Sequence, residues 1–153
     1  MTPGQANPEP AIEKLLQSDP DQLFTELGLR QKAIQFDPSQ AGLYQTTTMY
    51  DAPMMGPLDA LREWGKNFFD RFSKDVYGLV CGSDKEDTEE RKKLQQAFGL
   101  GDAAFATALT AALMSWFGWA PAIAAVVAAL VVKLFFKNAY LSMCEVWKKR
   151  LPA

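Results

Sequence analysis

The sequence predicts an all-α protein: a compact helical bundle of about five to six helices around a C-terminal Ala-rich hydrophobic helical hairpin, with an irregular N-terminal segment. Two observations predict this class. Apolar residues recur at three- and four-residue spacing over long stretches, which is the period of an amphipathic helix. Residues 103–132 contain no charged residue, and a glycine followed by a proline divides them into two arms.

The chain has the length of one domain. Its 153 residues are enough to bury most of the apolar surface without metals or disulfides. Residues 1–10 contain three prolines and one glycine, so we expect a flexible tail there and a single helical domain over residues 11–153. A short helix is predicted over residues 10–17 because three aliphatic residues fall on one face.

The stretch before residue 57 is expected to be mostly irregular. A second helix is predicted to begin at Pro20, after the cap-forming residues Ser18 and Asp19, and to end at Gly28, since glycine commonly follows the last helical residue. Residues 29–56 contain several turn signals. Within them, residues 43–50 are rich in strand-forming residues but have no visible partner strand, which favours extended coil.

Residues 57–80 form the clearest amphipathic helix, with apolar residues at helical spacing and charged residues on the other faces. The charged stretch that follows, residues 83–93, lacks the ligand order and central glycine of a calcium loop. Its Asp87 and Glu90, or Ser83 and Glu86, have the spacing of a capping box. We therefore expect a fourth helix to start there and to end at Phe98.

The hairpin is predicted to span residues 102–149. Asp102 is expected to cap the first arm, Gly118 to end it near residue 117, and Pro121 to begin a second arm that continues to residue 149. A helix that is apolar on all sides must be shielded by its own protein, by a partner or by lipid. Alanines at four-residue spacing in both arms leave surfaces where helix backbones approach closely.

Burial in the protein's own core is the favoured interpretation of the hairpin, and a bilayer is the alternative. Each uncharged arm extends roughly 18 to 24 Å, less than the hydrocarbon thickness of about 30 Å. A single span over residues 113–132 would have the required length, and the basic residues after it would lie on the cytoplasmic side. That window contains Ser115, Gly118 and Pro121 and many alanines, which weaken insertion.

An Ala-rich hydrophobic hairpin surrounded by amphipathic helices resembles the arrangement in pore-forming colicins and in Bcl-2-like proteins. The resemblance is one of pattern, and it brings no functional residues with it. Proteins of both families are soluble first and enter a membrane later. The resemblance therefore implies a membrane-inserting effector, which we keep as the alternative function.

Composition excludes several kinds of chemistry. The chain has no histidine, so nucleophiles activated by a histidine base are excluded and the commonest transition-metal ligand is missing. The acid and lysine pairs at Asp59 and Glu63, and at Asp70 and Lys74, have the spacing of solvated helix pairs. We expect no catalytic residues, no metal and no cofactor. A net charge of −2 gives no field that would attract nucleic acid.

Cys81 and Cys144 are 63 positions apart and form no metal or redox motif. A disulfide between them is one alternative, but two half-buried thiols in a reducing cytoplasm is the favoured interpretation. The N-terminus has no basic and apolar pattern of a secretory signal. We expect a cytoplasmic protein, with association at a membrane as the alternative location.

These observations predict a non-enzymatic helical interaction or assembly protein whose apolar hairpin is buried in its core or against a partner. A protein partner or self-association is expected. The large apolar side chains of the hairpin region are the candidate residues for an interface or for membrane contact, because aromatic residues are typical interface anchors. These candidates are Trp116, Phe117, Trp119, Leu130, Phe135, Phe136, Tyr140, Met143 and Trp147.

Overall fold

The computed structural model describes residues 8–45, 51–82 and 89–151, apart from the side chains of Met54 and Glu90. All regular structure in these residues is helical, which confirms the predicted all-α class. The helices are α1 (Glu9–Leu15), α2 (Pro20–Phe36), a 3-10 helix η1 (Pro38–Gly42), α3 (Ala52–Met55), α4 (Leu58–Cys81), α5 (Glu89–Phe98), α6 (Asp102–Phe117), α7 (Pro121–Phe135) and α8 (Tyr140–Arg150). Among those described, six have ten residues or more, in agreement with the expected five to six.

Helix α7 lies at the centre of the bundle. Residues 122–132 are all buried, and so is Phe135, so the helix is shielded on every side. Helices α1, α2, α6 and α8 and the 3-10 helix η1 pack around it. Helix α4 lies mainly against α2 and also contacts α5 and α8. The uncharged arm is therefore covered by the protein itself, because a helix without a polar face has no surface to present to water.

Helix α2 continues well beyond the predicted end at Gly28, to Phe36, so that prediction was wrong. Gly28 lies inside the helix, where α2 crosses α4. A Cβ on Gly28 would overlap the backbone carbonyl of Leu61, and a Cβ on Gly65 would overlap that of Phe24. The two glycines let the two backbones approach closely, so Gly28 serves helix packing rather than helix termination. The Asp19 capping box at the start of α2 was predicted correctly as a cap.

The second hairpin arm is also different from the prediction. It ends at Phe135 rather than continuing to residue 149, and α8 begins at Tyr140, turned by 98° relative to α7. The turn between the arms agrees with the sequence: Gly118 has the left-handed conformation (φ 67°) that ends α6, and Pro121 begins α7. Gly101, not Asp102, is the cap residue of α6.

The two cysteines form a disulfide, so the favoured prediction of two thiols was wrong. The bond joins the last residue of α4, Cys81, to Cys144 in α8, with 5.7 Å between the Cα atoms. Because it closes a loop with a sequence separation of 63 residues, loop-closure entropy predicts that it stabilises the fold by about 4 kcal/mol. Spacing along the chain could not reveal this pairing, since it depends on α8 folding back against α4.

Some of the remaining predictions concern described residues, and others fall outside them. The amphipathic helix predicted over residues 57–80 is confirmed as α4. The stretch expected to be irregular, residues 29–56, instead contains the second half of α2, η1 and the single turn α3. The capping boxes proposed at residues 83–90, most of the predicted tail and the end of the extended run lie outside the described residues, although Glu9 and Pro10 belong to α1.

The glycine crossing gives a direct prediction. Gly65→Ala should lower the free energy of unfolding by about 1 to 3 kcal/mol, because the added methyl must force two helix backbones apart. Gly78→Ala in the same helix is the matched control. Its Cβ meets open space, so better helix propensity should raise stability by about 0.5 to 1 kcal/mol. Urea unfolding measures both changes in stability. Equal effects of the two substitutions would contradict the close approach of α2 and α4 at Gly65.

Candidate interaction surface

Four aromatic rings pack together at the turn between α6 and α7: Phe68, Phe72, Phe117 and Trp119. Trp116 precedes Phe117 at the end of α6 and lines a cleft with it. We call these five residues the turn surface. The ring of Trp119 lies 5.6 Å from that of Phe68, 5.4 Å from that of Phe72 and 5.2 Å from that of Phe117, measured between centroids. Phe68 and Phe72 are one helical turn apart in α4, with their ring centroids 4.8 Å apart. The glycine and proline of the turn thus place Trp119 against α4.

Trp116 is the most exposed aromatic residue of the turn surface. Its side chain is 49% exposed, whereas Phe68, Phe72, Phe117 and Trp119 are half-buried. Trp116 and Phe117 line one side of an open cleft of about 320 Å³, which also contains Leu79 and Gly78 of α4. Lys74, Asp75 and Arg91 supply its charged groups. An apolar floor with charged groups of both signs is typical of a protein-binding surface.

The structure divides the nine candidate residues into two groups. Trp116, Phe117, Trp119, Phe136 and Tyr140 retain accessible surface. The other four are buried in the core: Leu130, Phe135, Met143 and Trp147. Trp147 stacks on Phe135 with 5.0 Å between ring centroids, and its indole nitrogen donates a hydrogen bond to the Ser73 hydroxyl. These four side chains would reach a partner or a bilayer only if the fold opened.

A second aromatic cluster surrounds the bend between α7 and α8. Phe136 and Tyr140, on either side of the bend, both pack against Phe98 and Phe105. The Tyr140 hydroxyl donates a hydrogen bond of 2.6 Å to the carbonyl oxygen of Val80. Burial raises the pKa of Tyr140 above its ordinary value, so the hydroxyl keeps the proton that it donates.

Arg30 is a buried charge that sequence patterns did not reveal. Its side chain is 2% exposed within α2 and pairs with Glu26 at 2.8 Å. It also donates hydrogen bonds to the carbonyl oxygens of Tyr44 and Ala122. Burial lowers the pKa of Arg30, and the Glu26 carboxylate opposes that shift. Arg30 thereby links the start of α7 to α2. This role is visible only in the structure, where the carbonyl oxygen of Ala122 lies next to Arg30.

Charge is distributed unevenly along the chain. Five of the 16 basic residues and one of the 18 acidic residues lie beyond Val132, so residues 133–153 carry a net charge of +4. The five basic side chains are all exposed: Lys133, Lys137, Lys148, Lys149 and Arg150. The carboxylates of the predicted helix pairs, Asp59, Glu63 and Asp70, are exposed on α4. The C-terminal part of the sequence is therefore positively charged in a chain of net charge −2.

A helix that spans a membrane must be about 20 residues long and mainly apolar. In the described part of the chain, no individual helix meets both conditions. Helices α7 and α8 meet them together, with the 98° bend between them. The same residues contain no group of three or more cysteine and carboxylate side chains placed to hold a metal ion.

The division between surface and core residues is testable with two tryptophans. Trp147→Ala should lower the free energy of unfolding by about 3 to 5 kcal/mol, because it empties a fully buried site. Trp116→Ala should change it by less than about 1 kcal/mol, since half of that side chain is already in water. Chemical unfolding followed by circular dichroism measures both. A larger loss for Trp116 than for Trp147 would contradict this assignment.

Comparisons with known proteins give no further assignment. No protein-family model, no curated protein and no solved structure matches this chain. A fold by itself does not determine function, and a four- to six-helix bundle serves many unrelated roles. The function is therefore argued from the turn surface, the buried hairpin and the charge distribution.

Proposed function

We propose that this chain is a non-enzymatic assembly protein that associates with a second copy of itself through the turn surface. The observation that carries the proposal is the half-exposed Trp116 beside the half-buried Phe117 and Trp119. Tryptophan and tyrosine are enriched among the residues that dominate binding energy at interfaces. A large aromatic group that is half exposed beside this ring cluster can serve as the anchor of such a contact.

The surroundings of Trp116 support this proposal. The adjoining cleft presents the exposed side chains of Lys74 and Asp75, so it offers both signs of charge to a matching surface. A twofold contact places the same patch of both copies against each other, which requires a surface complementary to itself. The rings of Phe68, Phe72 and Trp119 pack on one another and keep the apolar part of the surface rigid, which lowers the entropic cost of binding.

Sedimentation velocity from micromolar to near-millimolar protein concentration tests the proposal. The wild-type chain should form a dimer, and Trp116→Ala should weaken the dimer by roughly thirtyfold or more, as loss of an anchor residue does. Leu141→Ala is the matched control, because Leu141 is 76% exposed on another helix and should leave the dimer unchanged. A strict monomer at the highest concentration, or equal effects of the two variants, would count against it.

We also propose, as a second candidate, a membrane-inserting effector that uses residues 103–132 as its inserting segment. The uncharged sequence of that segment supports this function, since every side chain that must enter lipid is neutral. The +4 charge of residues 133–153 supports it independently, because basic clusters attract anionic lipid surfaces. In this function the amphipathic helices around α7 protect it until it reaches a bilayer.

Vesicle binding tests the second candidate. Exchanging Lys148 and Lys149 for glutamate should weaken binding to phosphatidylglycerol vesicles by at least about thirtyfold, since each lysine contributes about 1 kcal/mol at such a surface. Exchanging the exposed Lys92 and Lys93 for glutamate is the control, with the same change in net charge on α5. Release of a trapped dye reports insertion. Equal losses for both double variants, or binding without dye release, would contradict this function.

A further inference from the structure

The bend between α7 and α8 occurs without glycine or proline, although Asn138 at the break is a weak helix former. Neither glycine nor proline occurs between Ala122 and Leu151, whereas the α6–α7 turn contains both. The residue that follows α7, Phe136, is not in the left-handed conformation common at helix C-termini, and Ala139 supplies no side-chain cap to α8. Helix-forming residues flank the break on both sides. Local preferences therefore favour one continuous helix over residues 121–150.

Tertiary contacts hold the bend instead. The Cys81–Cys144 disulfide, the Tyr140 hydrogen bond to Val80 and the Trp147 hydrogen bond to Ser73 all join α8 to α4. The Phe136 and Tyr140 rings add packing against Phe98 and Phe105. Of these, only the disulfide is covalent. A covalent bond keeps α8 next to α4 even when the noncovalent contacts break. Loss of the disulfide is therefore the change that lets α8 take another position.

We propose that α7 and α8 are two halves of one helix that the Cys81–Cys144 disulfide keeps bent, and that a dithiol reductant releases α8. This proposal is independent of the turn surface. Cys81 is the more exposed of the two cysteines, at the end of α4, whereas Cys144 is buried. The sulfur that a reductant reaches first is therefore that of Cys81.

The redox step balances with a dithiol. One thiolate of the reductant attacks the Cys81 sulfur and forms a mixed disulfide, while the electron pair of the broken bond leaves on the Cys144 sulfur, which takes up a proton. The second thiolate of the reductant then displaces Cys81, which is protonated in turn. The protein disulfide gains two electrons and becomes two thiols, and the dithiol is oxidised to its own disulfide.

Release of α8 changes both the length of the central helix and the surface it exposes. A straight helix over residues 121–150 would extend about 45 Å. It would also uncover the buried side chains of Met143 and Trp147. Helices α7 and α8 together satisfy the length and composition of a membrane span, which neither satisfies separately. A reductant would thus control whether the chain possesses a helix of that length.

Backbone NMR of the full chain, oxidised and then reduced with dithiothreitol, tests in the absence of lipid whether the disulfide keeps α7 and α8 bent. In the reduced protein the Cα chemical shifts of residues 136–139 should move to helical values. In the reduced protein the amides of Tyr140–Arg150 should exchange with solvent roughly tenfold faster or more than those of residues 122–132, which should still exchange only through global unfolding, at a rate set by the unfolding free energy of the reduced protein. Exchanging Cys81 and Cys144 for alanine should reproduce the reduced state in the absence of reductant.

A glycine pair supplies the control. Lys137 and Asn138 are exposed, so Lys137→Gly with Asn138→Gly should be tolerated in the oxidised, bent form. Because glycine disfavours helix, the reduced variant should free α8 without forming helix at residues 136–139. Unchanged shifts and unchanged exchange of α8 after reduction would overturn the proposal. Exchange of Tyr140–Arg150 and of residues 122–132 at the same rate after reduction would also overturn it, since the disulfide would then hold the whole fold rather than one helix.

Discussion

The rest of the structure depends on one requirement: an uncharged helix must be kept from water on every side. Residues 122–132 of α7 are all buried, and this segment has no polar face that could lie in water. Apolar burial of this kind is the main favourable term in folding. The surrounding helices therefore take positions in which their apolar faces cover α7. Their own amphipathic faces, with charged residues outward, then form the outer surface of the protein.

Close packing around α7 is achieved by small residues and by a few satisfied polar groups. Alanines in both hairpin arms allow α6 and α7 to lie side by side, and Gly28 and Gly65 bring α2 and α4 together. Two of the buried polar side chains have hydrogen-bond partners: Thr110 donates to the carbonyl oxygen of Ala106, and Arg30 has three acceptors. Each such bond matters because an unpaired polar group in a core costs about 1 to 3 kcal/mol.

Sequence reasoning was accurate where local signals and tertiary packing agree. The all-α class, α4 and the Gly118 and Pro121 turn all follow from periodicity and from residues with restricted backbone preferences. It was wrong where a residue acts through a distant part of the chain. Gly28 packs on a helix 37 positions away at Gly65, Cys81 pairs with Cys144, and α7 bends where no breaker occurs. Such contacts leave no local pattern.

The same reasoning located only part of the candidate site. Trp116, Phe117 and Trp119 follow from their place beside a turn, but the contribution of Phe68 and Phe72 required the position of α4 to be known. Leu130, Phe135, Met143 and Trp147 have the side chains of interface anchors and are buried in the core. Residue type alone does not separate an anchor from a core residue, because both roles favour large apolar groups.

Hydrogen exchange of the backbone amides of α7 tests the central claim most directly. If α7 is the shielded centre of the bundle, the amides of residues 122–132 should be the slowest in the chain and should exchange only through global unfolding, at a rate that tracks the unfolding free energy measured with urea. If those amides exchange through local opening, faster than the amides of α2 and α4, then α7 is not the element on which the fold is built.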